Sequence, residues 1–157
     1  MTISAHSSTR WVRVAALLLI ACLIAGPMST HIYWMLGGTW GLHRSVGGHI
    51  EQSTSTGIRV VATIVVALLI AAAFVVLARV GLWRQTLVPD KVIRLLAWVI
   101  AVIFLLETLA SLTWSRQYEW WLYAPASLVI ALLALVVAGS GGAWPRVHRP
   151  HRMLRSH

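Results

Sequence analysis

Charged side chains are scarce in this chain, and acidic ones are nearly absent. Only 11% of its 157 residues are charged, and 4 Asp and Glu stand against 13 Lys and Arg, a net charge of +9. Soluble domains carry about 25% charged residues, so too few are present here to cover a surface in water. The basic residues are spaced between long apolar runs, which argues against a nucleic-acid-binding face. The composition therefore favours a membrane environment.

Cysteine is also nearly absent, since Cys22 is the only one. A single cysteine excludes an internal disulfide and any redox chemistry that needs a cysteine pair. We interpret Cys22 as a small apolar packing residue. The sequence also lacks a Gly-x-Ser-x-Gly elbow and a Cys–His pair, so no nucleophilic catalytic site is visible. An enzyme is therefore not favoured, and no cofactor is predicted.

Four long apolar runs dominate the sequence. Each reaches the roughly 20 residues that a helix needs to cross about 30 Å of hydrocarbon. Backbone within lipid must satisfy its own hydrogen bonds, which predicts helices. We expect an all-α, integral membrane four-helix bundle over residues 11–140, after an N-terminal segment 1–10 and before a basic tail 141–157. The predicted helices are about 12–36, 58–83, 92–114 and 120–139, and the first two enclose an outer loop, 37–57.

The first apolar run resembles a signal peptide, because Arg10 and Arg13 precede its apolar core. No small-x-small cleavage pattern follows that core, so we interpret the run as a retained helix. Pro27 is expected to kink it, with neighbouring groups satisfying the carbonyl that loses its donor. The helix is then expected to end at Gly37 and Gly38, where glycine can adopt a left-handed cap.

The basic residues near the helix ends predict the orientation. Most fall on the side of the N-terminus, whereas Arg44, Arg59 and Arg116 fall on the opposite side. The positive-inside rule therefore predicts cytoplasmic N- and C-termini and a location in the cell membrane. The basic tail is expected to contact anionic lipids through Arg146, Arg149, Arg152 and Arg155.

Small residues four positions apart predict where the helices touch, because lipid gives no hydrophobic reward for helix association. The candidate contacts are Ala21 with Ala25, Ala67 with Ala71, Ala134 with Ala138, and Ser111 with nearby Thr108 and Ala110.

Glu107 is the exceptional residue of the third run, about seven residues from its outer end and so roughly 10 Å below the surface. An acidic group at that depth costs a few kcal/mol unless it has a polar partner. Glu107 therefore either links two helices or belongs to a binding site. His31 is its best candidate partner, because the two side chains can share a proton. We predict a ligand pocket under a glycine-rich cap of Gly37, Gly38 and Gly41. Its predicted lining is His31, Tyr33, Trp34, Trp40, Glu107, Ser111 and Tyr123.

A metal site is the weaker alternative. His31, His43 and His49 with Glu51 or Glu107 could supply ligands, but their spacing matches no metal signature. We therefore predict no metal.

Two stretches resemble the DUF3995 family, small bacterial multi-pass membrane proteins without an established activity. The family has a histidine-aromatic-Trp run before Gly-Gly-x-Trp-Gly, and a Leu-Tyr-Ser/Ala-Pro motif at the start of its last helix. The matching residues are His31, Tyr33, Trp34, Gly37, Gly38, Trp40 and Gly41, then Leu122, Tyr123 and Pro125. The resemblance does not extend to the histidines after Gly41. It supports the architecture and implies no activity.

Three functions stay open. The first is a binding or accessory membrane protein that acts on a lipid or a membrane-protein partner through a small outer-leaflet pocket. The second is a homo-oligomeric transporter of ions or small solutes, with Glu107 lining the pathway. The third is a membrane enzyme or redox subunit that acts on a lipid or a quinone.

Overall fold

The computed structural model describes the backbone of residues 4–39, 55–83, 88–114 and 120–140, and the side chains of 10–39, 56–83, 88–113 and 124–140. Every regular element in these residues is helical, which confirms the predicted all-α class. The elements are α1 (Ser4–Leu23), a π-helical turn (Ile24–Met28), α2 (Ser29–Met35), α3 (Ser55–Arg79), α4 (Asp90–Trp114) and α5 (Trp120–Gly139).

Three of the helical segments are long and apolar enough to cross a membrane. They are Arg10–Met35, Thr56–Arg79 and Asp90–Thr113, with mean hydropathies of 2.0, 3.2 and 2.4. In the last helix, Ala124–Gly139 is apolar but shorter. Large aliphatic side chains cover the outside of these helices; Leu68, Leu95 and Leu109, for example, are about 60% exposed. Such a surface suits lipid far better than water.

The π-helical turn accommodates Pro27 without ending the helix. Proline has no backbone N–H, so a regular turn would leave a carbonyl without its donor. Here the backbone N–H of Ser29 reaches the carbonyls of Gly26 and Ile24, and the Ser29 hydroxyl donates to Ala25 at 2.7 Å and to Gly26 at 2.9 Å. These bonds satisfy the carbonyls of Ile24, Ala25 and Gly26 within the turn.

Small residues bring the helices together, but only partly at the predicted positions. Ala134 and Ala138 are buried, as predicted, and so is Thr108. The pairs Ala21 with Ala25 and Ala67 with Ala71 are exposed instead, and so is Ala110; these predicted contacts are wrong. The helices are apolar on every side, so the spacing of alanines did not distinguish the inner face from the outer one. The inner face carries Ala16, Leu19, Leu23, Ala62, Leu69, Val76, Ala97, Ala101, Phe104, Ile130, Ala131 and Val137.

The helices pack in a defined order. α1 packs against α5 and α3, and α4 packs against α5 and α3, with the α4–α5 contact the most extensive. α2, after the π-helical turn, packs against α3 and has no comparable contact with α4 or α5. We call the end at which α2 stops and α3 starts the upper end, and the opposite end the lower end. At the upper end, therefore, α2 packs mainly against α3.

A buried arginine joins two helices at the lower end. Arg79, the last residue of α3, is only 3% exposed, and its guanidinium donates to the carbonyls of Ser140 and, at 3.4 Å, Ala138. These carbonyls end α5, where a helix has acceptors without intrahelical donors and a partial negative charge. Asp90 and Arg94 of α4 lie within electrostatic range of the same guanidinium. Arg79 therefore links the lower ends of α3 and α5.

A left-handed glycine lies two residues after Arg79. Gly81 has φ of 72°, its N–H donates to the carbonyl of Ala78 at 3.1 Å, and the N–H of Leu82 donates to Leu77 at 3.0 Å. This pair of bonds is a Schellman motif, which satisfies the last carbonyls of α3.

Candidate functional site between α2 and α4

Two polar residues occupy similar heights in the upper half of the molecule. His31 lies one turn before the end of α2 at Met35, and Glu107 lies about two turns before the end of α4 at Trp114. At about 1.5 Å per residue, these positions are roughly 6 Å and 10 Å below the ends of their helices.

His31 has a fixed orientation. Its Nδ1 atom lies 2.7 Å from the carbonyl oxygen of Pro27. A carbonyl only accepts, so Nδ1 is the donor, and in the neutral imidazole Nε2 is left as an acceptor. The ring of Trp34, one turn further along, meets the imidazole edge-to-face with ring centroids 5.0 Å apart. The π-helical turn and Trp34 therefore hold the imidazole in place from two sides.

Glu107 borders the inner face of α4. Its neighbours Phe104 and Thr108 are buried, whereas the Glu107 side chain keeps an exposed surface. The surrounding protein partly desolvates the carboxyl group, and the imidazole of His31 lies within electrostatic range of it. His31 and Glu107 thus lie within electrostatic range of each other, on two helices that have no extensive contact.

The other predicted pocket residues are distributed differently. Trp34 contacts His31, and Ser111 is half-buried one turn after Glu107 on the same side of α4. The ring of Tyr33 lies over Gly38, two positions from His31 and on another side of α2. The predicted site residues that lie outside the described part of the chain are Trp40, Gly41, His43, His49, Glu51, Arg146, Arg149, Arg152, Arg155 and the side chain of Tyr123.

Gly37 and Gly38 form the expected cap at the end of α2. Gly37 has φ of 95° and donates to the carbonyl of Trp34 at 3.0 Å, while Gly38 donates to Tyr33 at 2.9 Å. These two bonds are again a Schellman motif. A side chain at Gly37 would meet the guanidinium of Arg59, whose Nη2 atom lies 2.7 Å from the place of its Cβ. Arg59 therefore packs on the end of α2, where a cation is electrostatically favoured.

Arg59 and Arg79 are the two residues that sequence reasoning missed. In the sequence, both are simply basic residues near helix ends, which count only toward the orientation. The sequence around a basic residue at a helix end does not show whether its side chain contacts lipid headgroups or caps a neighbouring helix. Arg79 does follow a rule that could have identified it, because an arginine beside an apolar run must snorkel or find acceptors.

The described residues offer few metal ligands. No group of three or more His, Cys, Asp or Glu side chains comes together within them. His31 and Glu107 by themselves supply two ligands, fewer than a structural zinc site requires.

Apolar helices of membrane-crossing length, with one polar pair in their upper half, define a small helical protein compatible with a membrane. The model of the family described as "Protein of unknown function (DUF3995)" matches residues 22–134. The chain belongs to this family, as the resemblance of its two motifs predicts. No curated protein and no solved structure matches it.

Proposed function

We propose that this chain is a multi-pass membrane protein that binds a molecule from the outer leaflet between α2 and α4. One observation carries the proposal. An imidazole and a carboxyl group, His31 and Glu107, lie within electrostatic range of each other on two helices that have no extensive contact. A purely structural tie would favour helices in close contact, since polar groups in lipid find partners on the helix next to them.

The membrane placement rests on the apolar surface and the distribution of charge. Four spanning helices that form a bundle would return the chain to its starting side, with both termini in the cytoplasm and the upper end outside. The plasma membrane is the proposed location. The basic residues of the tail 141–157 would then contact anionic headgroups at the inner surface.

The orientation is tested with single cysteines. Cys22 is replaced by alanine, and one cysteine is introduced at Ser45 in the first loop or at Ser156 in the tail. A membrane-impermeant maleimide applied to intact cells should label the Ser45 position, and the Ser156 position only after permeabilisation. Labelling of the tail from outside would refute the orientation.

The binding site is tested with a photocrosslinking residue at Ile103, one turn before Glu107 and 53% exposed. The matched control is Leu95, which is 63% exposed in the lower half of α4. Irradiation in membranes should give a discrete adduct at Ile103 and only scattered lipid at Leu95. The adduct should disappear in Glu107→Gln. Identical products at both positions would refute the proposed binding site.

A transport pathway through an oligomer is the second candidate. Glu107 keeps an exposed surface in a segment otherwise suited to lipid, and an acidic group at this depth requires cover or water. Several copies could place their glutamates around a shared pathway. A photocrosslink from Ile103 to a second copy of this chain would favour this candidate over the binding of a small molecule.

A further inference from the structure

Two side chains that can donate hydrogen bonds lie against the glycine cap of α2. The guanidinium of Arg59 occupies the space of a side chain at Gly37, with Nη2 2.7 Å from the position of its Cβ, and the ring of Tyr33 occupies that of a side chain at Gly38. Consecutive Cα atoms are about 3.8 Å apart, so both groups flank one short stretch of backbone. This cap lies between α2 and α3, and nothing in it depends on the site proposed between α2 and α4.

The donors of Arg59 are not used by the described part of the protein. Three carbonyls in the last turn of α2 already accept from backbone N–H groups of residues 36–38. Within the described residues, no group accepts a hydrogen bond from this guanidinium, and Glu107 forms no ion pair with it. Arg79 differs, because its guanidinium donates to two carbonyls at the end of α5. The exposed guanidinium of Arg59 is therefore left with donors for a ligand.

Arg59 lies at the level where lipid headgroups begin. The stretch of α3 from Arg59 to Arg79 is about 30 Å long, which is the thickness of the hydrocarbon core of a bilayer. The residues that follow Arg59 present an apolar surface, with Val60, Val61 and Ile64 54%, 60% and 54% exposed. A guanidinium at the edge of such a surface lies next to the phosphate groups of the lipids whose acyl chains cover it.

Phosphate is the ligand whose chemistry fits this cap. A guanidinium presents its donors in a planar fork that matches two oxygens of a phosphate group. The hydroxyl of Tyr33, whose side chain is 46% exposed, brings a second donor to the same cap. We propose that Arg59, positioned by Gly37 and flanked by Tyr33, binds the phosphate group of a phosphate ester at the upper end.

The test measures which lipid lies beside Arg59. The full-length protein carries a photocrosslinking residue at Thr63, an exposed position one turn after Arg59. The matched control is Ile70, which is 44% exposed and lies two turns deeper on the same side of α3. The vesicles consist of digalactosyldiacylglycerol, which has no phosphate, and a minor fraction of phosphatidylglycerol with the same acyl chains. Adducts at Thr63 should be enriched about five-fold in phosphatidylglycerol, as expected for an ion pair at an exposed surface, and those at Ile70 should not be enriched.

Three substitutions separate a built phosphate site from a general attraction of charge. Arg59→Gln should reduce the enrichment to the level at Ile70, and Arg59→Lys should retain only part of it, because an ammonium lacks the planar fork. Gly37→Ala should reduce the enrichment without a change of charge, since its Cβ would displace the guanidinium, whereas the control Gly57→Ala, with nothing within 4 Å of its Cβ, should not. Each variant is first shown to be folded by its melting transition. Undiminished enrichment in any of the first three variants would overturn the inference.

Competition in the same vesicles identifies the source of the phosphate. If soluble glycerol 3-phosphate removes the enrichment, the site takes a soluble phosphate ester, and if the enrichment persists, the site takes a lipid headgroup. Both results keep the phosphate chemistry. If a fatty acid in place of phosphatidylglycerol is enriched equally, the site recognises negative charge alone, which would contradict the inference.

Discussion

The arginine cap at the lower end gives the sharpest stability prediction. Arg79→Met should destabilise the fold, because it removes the donors that Ala138 and Ser140 receive across a gap of about sixty residues in the sequence. A hydrogen bond from a charged donor contributes about 1.5–3 kcal/mol, so two would contribute roughly 3–6 kcal/mol. The substitution also removes the cost of burying a cation, whose Nε atom has no partner among the described groups. This gain in stability offsets part of the loss.

A net loss of about 2–4 kcal/mol is therefore expected, and at roughly 2–4 °C per kcal/mol the melting temperature should fall by about 5–15 °C. Cys22 makes the assay simple. It is the only cysteine and is half-buried, so a thiol-reactive dye that fluoresces on coupling reports unfolding in detergent. Arg79→Lys should fall between wild type and Arg79→Met, because an ammonium lacks the planar fork of a guanidinium.

The control is Lys91→Met, which removes an exposed cation near the same end. It should leave the melting temperature within about 2 °C of wild type, as expected for an exposed charge. If the melting temperature of Arg79→Met is as high as that of Lys91→Met, the guanidinium does not stabilise the lower end and the reasoning is refuted.

Three further predictions use the same assay. Glu107→Gln and His31→Ala should couple by about 0.5–3 kcal/mol in a double-mutant cycle, and purely additive losses would remove the pairing. Gly37→Ala should lower the free energy of unfolding by about 1–2 kcal/mol, because Gly37 has φ of 95° and contacts Arg59. The control Gly57→Ala, at a helical position with open space around it, should be neutral or stabilising. Ala134→Leu, at a 2% exposed position, should destabilise by about 1–3 kcal/mol, while Ala21→Leu should have little effect; the reverse order would contradict the packing described above.

The helical class could be predicted from the sequence because long apolar runs leave backbone groups no partner except those of their own helix. The end of α2 could be predicted as well, since a Gly-Gly pair after an aromatic turn favours a left-handed cap. Glu107 and His31 were identifiable because polar groups are rare in such runs. Their pairing stays a prediction, which rests on one chemical argument, that each needs a partner.

The packing faces could not be predicted in the same way. Ala21 and Ala134 lie in almost identical apolar surroundings in the sequence, yet one faces outward and the other lies in the core. In lipid both faces of a helix are apolar, so periodicity loses the contrast on which it depends. The burial of Arg79 depends on where α5 ends in space, which only the packing of distant segments decides.

The π-helical turn has a consequence for the phase of the first helix. Its wider turn takes up about one extra residue, and each residue of an α-helix advances by about 100°. His31 consequently occupies the angular position at which an unbroken α-helix would present Thr30. If a substitution at Pro27 restored regular winding without changing the chain length, His31 would rotate by about 100° relative to α1. A simultaneous deletion of one residue between Ile24 and Met28 would rotate it back, so the length of this turn sets the direction in which the imidazole points.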